Sequence, residues 1–261
     1  MGKKTKFWLI AAAALFCVGA ILFGGVMTVL KWDFTKLSTT KYETNAYEIT
    51  EDFTGIFVDT DTADVIFKVS ADGKCKVECY EEAKAKHTVS VQGGILTISN
   101  KSEKAWYDSF GINFTAPKIT ISLPRAELES LKVDLATGKV TIEKLNVGNL
   151  DISATTGKVS LTDITCKNLT STGNTGDIDL KNVVAAEKFS ISRTTGNILF
   201  DDCDAAQITA TTNTGDIKGS LRTDKVFIAK TSTGKIDLPE TTTGGTCKLS
   251  TTTGNIKITI G

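Results

Sequence analysis

Apolar residues in the second half of the chain recur in a fixed frame around a repeated Thr-Gly pair. Gly138, Gly157, Gly176, Gly196, Gly215, Gly234 and Gly254 lie 19 or 20 residues apart, each behind a threonine. Seven positions earlier stand Leu131, Leu150, Leu169, Phe189, Ile208, Phe227 and Cys247, and five earlier Val133, Ile152, Ser171, Ile191, Ala210, Ala229 and Leu249. Two positions later come Val140, Val159, Ile178, Ile198, Ile217, Ile236 and Ile256, and four later Ile142, Leu161, Leu180, Phe200, Gly219, Leu238 and Ile258. Alternation of this kind predicts two short strands, each with one buried face, around a corner where glycine takes positive φ freely. A repeat of this length has no room for a helix. The prediction is therefore all-β: a parallel, single-stranded β-solenoid with rungs stacked about 4.8 Å apart. The residues after the glycines (Lys139, Lys158, Asp177, Asn197, Asp216, Lys235 and Asn255) are expected to project into water.

A degenerate rung precedes these, with Ile56, Val58, Val65 and Phe67 at the inward offsets and Ala63 at the glycine position. From Ser70 to Arg125 the period breaks. Cys75–Tyr80, Thr88–Val91, Ile95–Ser99 and Lys118–Leu123 alternate like antiparallel strands, and Gly93-Gly94 is a hairpin signal. This strand-rich section is expected to cap the first rung. The last rung, ending at Gly261, is expected to be an uncapped edge open to a partner or to self-association.

Phe7 to Leu30 carries no charge and is long enough to span a bilayer as a helix. Lys3, Lys4 and Lys6 flank its N-terminal side, which by the positive-inside rule leaves residues 1–6 cytoplasmic and the rest extracytoplasmic. A cleaved signal peptide is the rival reading. The organisation expected is a transmembrane helix at 7–30, a stalk at 31–46, the first rung with its cap at 47–125, and the solenoid repeats at 126–261. Lysine plus arginine and aspartate plus glutamate both number 30, so no basic field points to nucleic acid.

Candidate chemistry is sparse. Cys203 and Cys247 fall in inward slots and read as core; Cys75 and Cys79, four apart on one strand, are badly placed to bridge each other. His87, the only histidine, has no partner motif, and no CxxC spacing appears. Asp59, Asp61 and Asp64 lack the glycine and closing glutamate of a calcium loop and read as a solvated turn, as do Asp201, Asp202 and Asp204. Rungs of constant length leave no loops to wall a cleft, so a polysaccharide-active enzyme is the least favoured reading. Thr212 with Thr214, Thr231 with Thr233 and Thr251 with Thr253 suggest ladders between rungs, with an ice-binding face a remote alternative. Trp106, Tyr107 and Phe110 form an aromatic cluster between strands that either packs over the first rung or binds a partner. No catalytic residue, metal site or cofactor is expected.

The anchor, the segment Ile119 to Pro124, and rungs reading Thr-Gly-[Lys/Asp/Asn]-[Val/Ile] together resemble the bacterial β-strand-repeat putative adhesin family, a domain of unknown function, from roughly Tyr47 to Gly261. The resemblance implies a right-handed parallel β-helix with no catalytic motif, and some members are similar to proteins encoded near envelope-stress signalling systems. The function expected is a membrane-anchored, non-catalytic surface adhesion or scaffolding module that engages a protein or a cell-surface polymer. The alternative is an accessory of an envelope-stress sensor or transporter.

Overall fold

The computed structural model describes residues 2–37, 41–100, 116–124 and 127–261. The one α-helix among the described residues, α1 (Lys3–Val29), presents Phe7, Ile10, Leu15, Phe16, Ile21 and Leu22 to its surroundings. It is long and apolar enough to cross a membrane. A 3₁₀ turn follows at Phe34–Leu37.

The β unit begins with β1 (Tyr42–Ile49), β2 (Gly55–Thr62), β3 (Asp64–Val69), β4 (Cys75–Glu82), β5 (Thr88–Gln92), β6 (Ile95–Ser99) and β7 (Lys118–Leu123). The periodic strands are β8 (Glu127–Thr137), β9 (Val140–Thr156), β10 (Val159–Thr175), β11 (Ile178–Thr195), β12 (Ile198–Thr214), β13 (Ile217–Leu221), β14 (Lys225–Thr233), β15 (Ile236–Asp237), β16 (Gly245–Thr253) and β17 (Ile256–Ile260). From β8 to β12 each strand pairs in parallel with its successor, Leu131 beside Leu150 beside Leu169 beside Phe189 beside Ile208. The chain is a β-solenoid, and its inward offsets form one continuous buried core except on the edge rung. There Ile236, expected inward, is exposed, and Phe227, Ala229 and Leu238 are only partly buried, because no further rung covers them. Ser171 lies fully inside that core, as its small size allows.

Two corners shape each rung. At the first, the glycines take φ between 131° and 152°. At the second, Lys144, Asp163, Asn182 and Asp202 adopt φ of 52° to 57°, a conformation that Asn and Asp tolerate better than most residues. The sheet facing each way is extended by the aperiodic strands. β2 pairs with β8 and with β6, while β3 pairs with β9 and β7. Antiparallel β4 then lies on β7, and β1 on β4. The Gly93-Gly94 turn has φ of 58° and 77° and joins β5 to β6, as a two-residue hairpin requires.

Four further expectations change. Residues 42–46, expected in the stalk, belong to β1. The stack does not follow chain order at its end: β16 pairs with both β12 and β14, and β17 with both β13 and β15. The last rung is therefore inserted, and the edge belongs to β14 and β15. The post-glycine residues do not all face water. The Asp64 Oδ1 accepts from Lys139 N, and further along Asp177, Asn197, Asp216 and Asn255 accept successively from the backbone N–H of Asn197, Asp216, Asn255 and Lys235. These N–H groups sit at a corner, where the strand ladder is interrupted, and the side chains supply their acceptors. Finally, Asp204 is no solvated turn residue: it is largely buried against Lys225, whereas Asp201 and Asp202 are exposed.

Candidate functional site

Inward positions along β4 read Cys75, Val77, Cys79 and Glu81, so the alternation drives a carboxylate into the core. Glu81 is 1% exposed. A buried carboxylate needs several donors to offset its lost hydration. It has three. Asn45 on β1 donates from Nδ2 to Oε1 at 2.7 Å, and the backbone N of His87 donates to Oε2 at 2.6 Å. The His87 Nδ1 lies 2.6 Å from the same Oε2. On the far side of the ring, Nε2 is 2.9 Å from Thr60 Oγ1 of β2, and the Tyr47 hydroxyl donates to the His87 carbonyl at 3.4 Å. His87 is 4% exposed. No linear motif marks the partners of His87, because they come from β1, β2 and β4, which only the fold brings together.

Cys79 completes the cluster. One ligand-type atom each from Cys79, Glu81 and His87 lie within 4.8 Å of one another. Burial first, and the nearby Glu81 charge second, push the Cys79 thiol up to about 12, so it is no nucleophile at neutral pH. Thr60, His87 and Glu81 have the connectivity of a hydroxyl–imidazole–carboxylate relay, but Thr60 and His87 are sealed from solvent. That argues for a held structure rather than turnover. All of Cys75, Cys166, Cys203 and Cys247 are likewise buried and unbridged, while Cys17 is exposed.

Thr212 and Thr251 point inward, and their hydroxyls donate to the carbonyls of Gly196 and Gly215; Thr231 donates to Gly254 in the same way. The first threonine of each pair thus serves the corner between rungs rather than a flat external face. Asp59 and Asp61 lie outward on β2. Trp106, Tyr107 and Phe110 lie outside the described residues.

A second feature is the edge formed by β14 and β15. Outward positions eight and six before the corner glycine are polar along the stack: Ser130 and Lys132, Asn149 and Asp151, Asn168 and Thr170, Lys188 and Ser190, Gln207 and Thr209, Thr246 and Lys248. On β14 they are Val226 and Ile228, the latter 56% exposed, and Ile236 of β15 is also exposed. Behind them Phe227, Ala229 and Leu238 are only partly buried. Elsewhere, an open cavity of about 550 Å³ lies between Glu48, Phe53, Lys74, Cys75, Leu123 and Leu128.

Fold and surface together define a β-solenoid joined in sequence to an apolar N-terminal helix. Residues 53–260 match the Toastrack DUF4097 family model, and the chain belongs to that family. Among solved structures, it is similar to a putative adhesin from Bacteroides fragilis at 23% identity and a TM-score of 0.55, over 84% of this chain and 97% of that one. A putative adhesin from Parabacteroides distasonis aligns at 15% identity and a TM-score of 0.50, over 85% of this chain and 98% of that one. These likenesses establish a shared fold. No curated protein sequence matches.

Proposed function

We propose that this chain is a non-catalytic binding module held by α1 in the membrane, with the solenoid outside the cytoplasm, and that it engages an extended segment of a protein partner through β14. The observation that carries this reading is the apolar pair Val226 and Ile228 at outward positions that are polar on the other periodic rungs. An edge strand with free backbone groups accepts a further strand by β-augmentation, and exposed apolar side chains give that strand something to bury. The lysines in the first turns of α1, Lys3, Lys4 and Lys6, support that orientation. The names of the solved neighbours accord with a surface role.

In-cell photo-crosslinking of the full chain tests it, with a reporter at Ile228 and a control reporter at outward Thr170. A discrete protein adduct from Ile228, and none from Thr170, is the expected result. Adducts of the chain with itself at Ile228 would identify the strand donor as a second copy and the module as a scaffold. Capture of wall polymer alone, or equal labelling from both positions, would overturn the proposal.

A further inference from the structure

We infer that Cys79, Glu81 and His87 form a zinc-type metal site that clamps β4 to the turn before β5. The donors are one thiol, one carboxylate and one imidazole, the borderline-soft mixture that zinc takes in tetrahedral sites. They are brought together from a strand and the turn that follows it, and each is buried. Cys79 and Glu81 lie two apart on one face of β4, and His87 returns to that face after the turn.

The surroundings match the outer shell of a metal site. In the metal-free fold the His87 Nδ1–H donates to Glu81. On binding, the ring carries its proton on Nε2 instead, donating to Thr60 Oγ1 2.9 Å away. That frees the Nδ1 lone pair for the ion, while the Cys79 thiol gives up its proton to solvent. Asn45 holds the carboxylate from its other oxygen at 2.7 Å. Such partners fix ring tautomer and ligand direction at metal centres. Zinc bonds of about 2.0 Å to oxygen and nitrogen and 2.3 Å to sulfur need ligand atoms roughly 3.3–3.8 Å apart. Binding therefore opens the Glu81–His87 contact from 2.6 Å and draws the thiol inward, shifts of about an ångström or less. Three protein donors leave one position, which a single water fills. The bound ion ties β4, already paired with β1, to the turn, and through Thr60 to β2, the first rung of the stack.

The test is a cobalt titration of the full chain in detergent, stripped beforehand with a chelator. One equivalent should bind, giving near-ultraviolet thiolate-to-cobalt absorption and strong visible bands of tetrahedral cobalt, both erased by zinc. Cys79→Ser should abolish the near-ultraviolet band, and Cys75→Ser, at the neighbouring inward thiol of the same strand, should leave it intact. Thr60→Val and Asn45→Ala keep the three ligands and should weaken binding about 10-fold or more, so the inference stays testable if Cys79→Ser fails to fold. Zinc should raise the melting temperature of the native chain. No thiolate band, or a band that survives Cys79→Ser in folded protein, would overturn the site and leave the cluster a hydrogen-bonded lock.

Discussion

The corner glycines are held by contact as well as by dihedral angle. At Gly196, φ is 146°, and a Cβ would lie 2.2 Å from the carbonyl oxygen of Gly176 in the rung below. Neither atom can move without shifting a ladder, so Gly196→Ala should cost more than about 3 kcal/mol, the upper range for backbone strain alone. Gly93 also has positive φ, 58°, but faces open space. Gly93→Ala should cost only about 1–2 kcal/mol. Urea unfolding of the two variants, read by far-ultraviolet circular dichroism, checks the difference; equal losses would show that strain rather than stacking dominates. Beside these glycines, Asn197 uses Oδ1 to accept from Asp216 N at 2.9 Å and Nδ2 to donate to Asp177 at 3.2 Å. Asn197→Leu would strand a backbone N–H at the corner, with an expected loss of about 1–3 kcal/mol. Hydrogen exchange at Asp216 should accelerate in that variant, while that at Thr141, on a distant rung, should not.

At the level of strands, an ion pair reaches across the inserted rung, from β14 to β12. Lys225 of β14 lies opposite Gly245 of β16, which in turn lies near Ala206 of β12. A Cβ on Gly245 would meet the Ala206 carbonyl at 1.9 Å, so the inserted strand passes there only as glycine. The Lys225 ammonium ion-pairs with Asp204 Oδ1 at 2.5 Å and donates to Thr223 Oγ1 at 2.6 Å, with side chains 4% and 14% exposed at the two charges. Lys225→Met would leave a largely buried carboxylate unpaired, at a cost of about 3–5 kcal/mol, while adding Asp204→Leu should restore most of it. Amide exchange across Val226–Thr233 reports this directly, and a double variant as labile as the single would refute the coupling. This insertion was not legible beforehand, because the sixth and seventh rungs carry the same inward pattern, Phe227 and Ala229 against Cys247 and Leu249, and either fits either slot. The period and the inward face were legible since stacking repeats one environment at each offset. The polar cluster was not, because Asn45, Thr60, Glu81 and His87 come together from an aperiodic section through both antiparallel and parallel pairings. Its one linear trace was a glutamate in the inward alternation of β4.

Across the whole β unit, the stacked core makes thiol ionisation a global matter. Cys166, Cys203 and Cys247 sit on different rungs, and burial pushes their thiols from about 9 up to about 12, 11 and 12. Each is neutral in the fold but ionises in the unfolded chain near its ordinary value. A raised folded pKa gives stability that is complete below about 9 and lost as pH climbs toward 11–12. Each thiol withdraws about 1.4 kcal/mol per pH unit once the unfolded chain is ionised, so the three together withdraw about 4 kcal/mol per unit. Because a rung cannot bury its apolar face alone, loss at any of the three rungs is felt by its neighbours. Urea midpoints measured in reductant should be flat from neutrality to about pH 8.5 and then fall steeply. Cys75 and Cys79 are likewise raised by burial, to about 11 and 12. Replacing Cys203 by Ala and Cys247 by Val therefore removes two of five such thiols, and the alkaline slope should shrink by roughly two fifths relative to the native chain. An unchanged slope would place the alkaline sensitivity elsewhere, with Tyr42, also raised to about 12 by burial and by Glu82, the next group to vary.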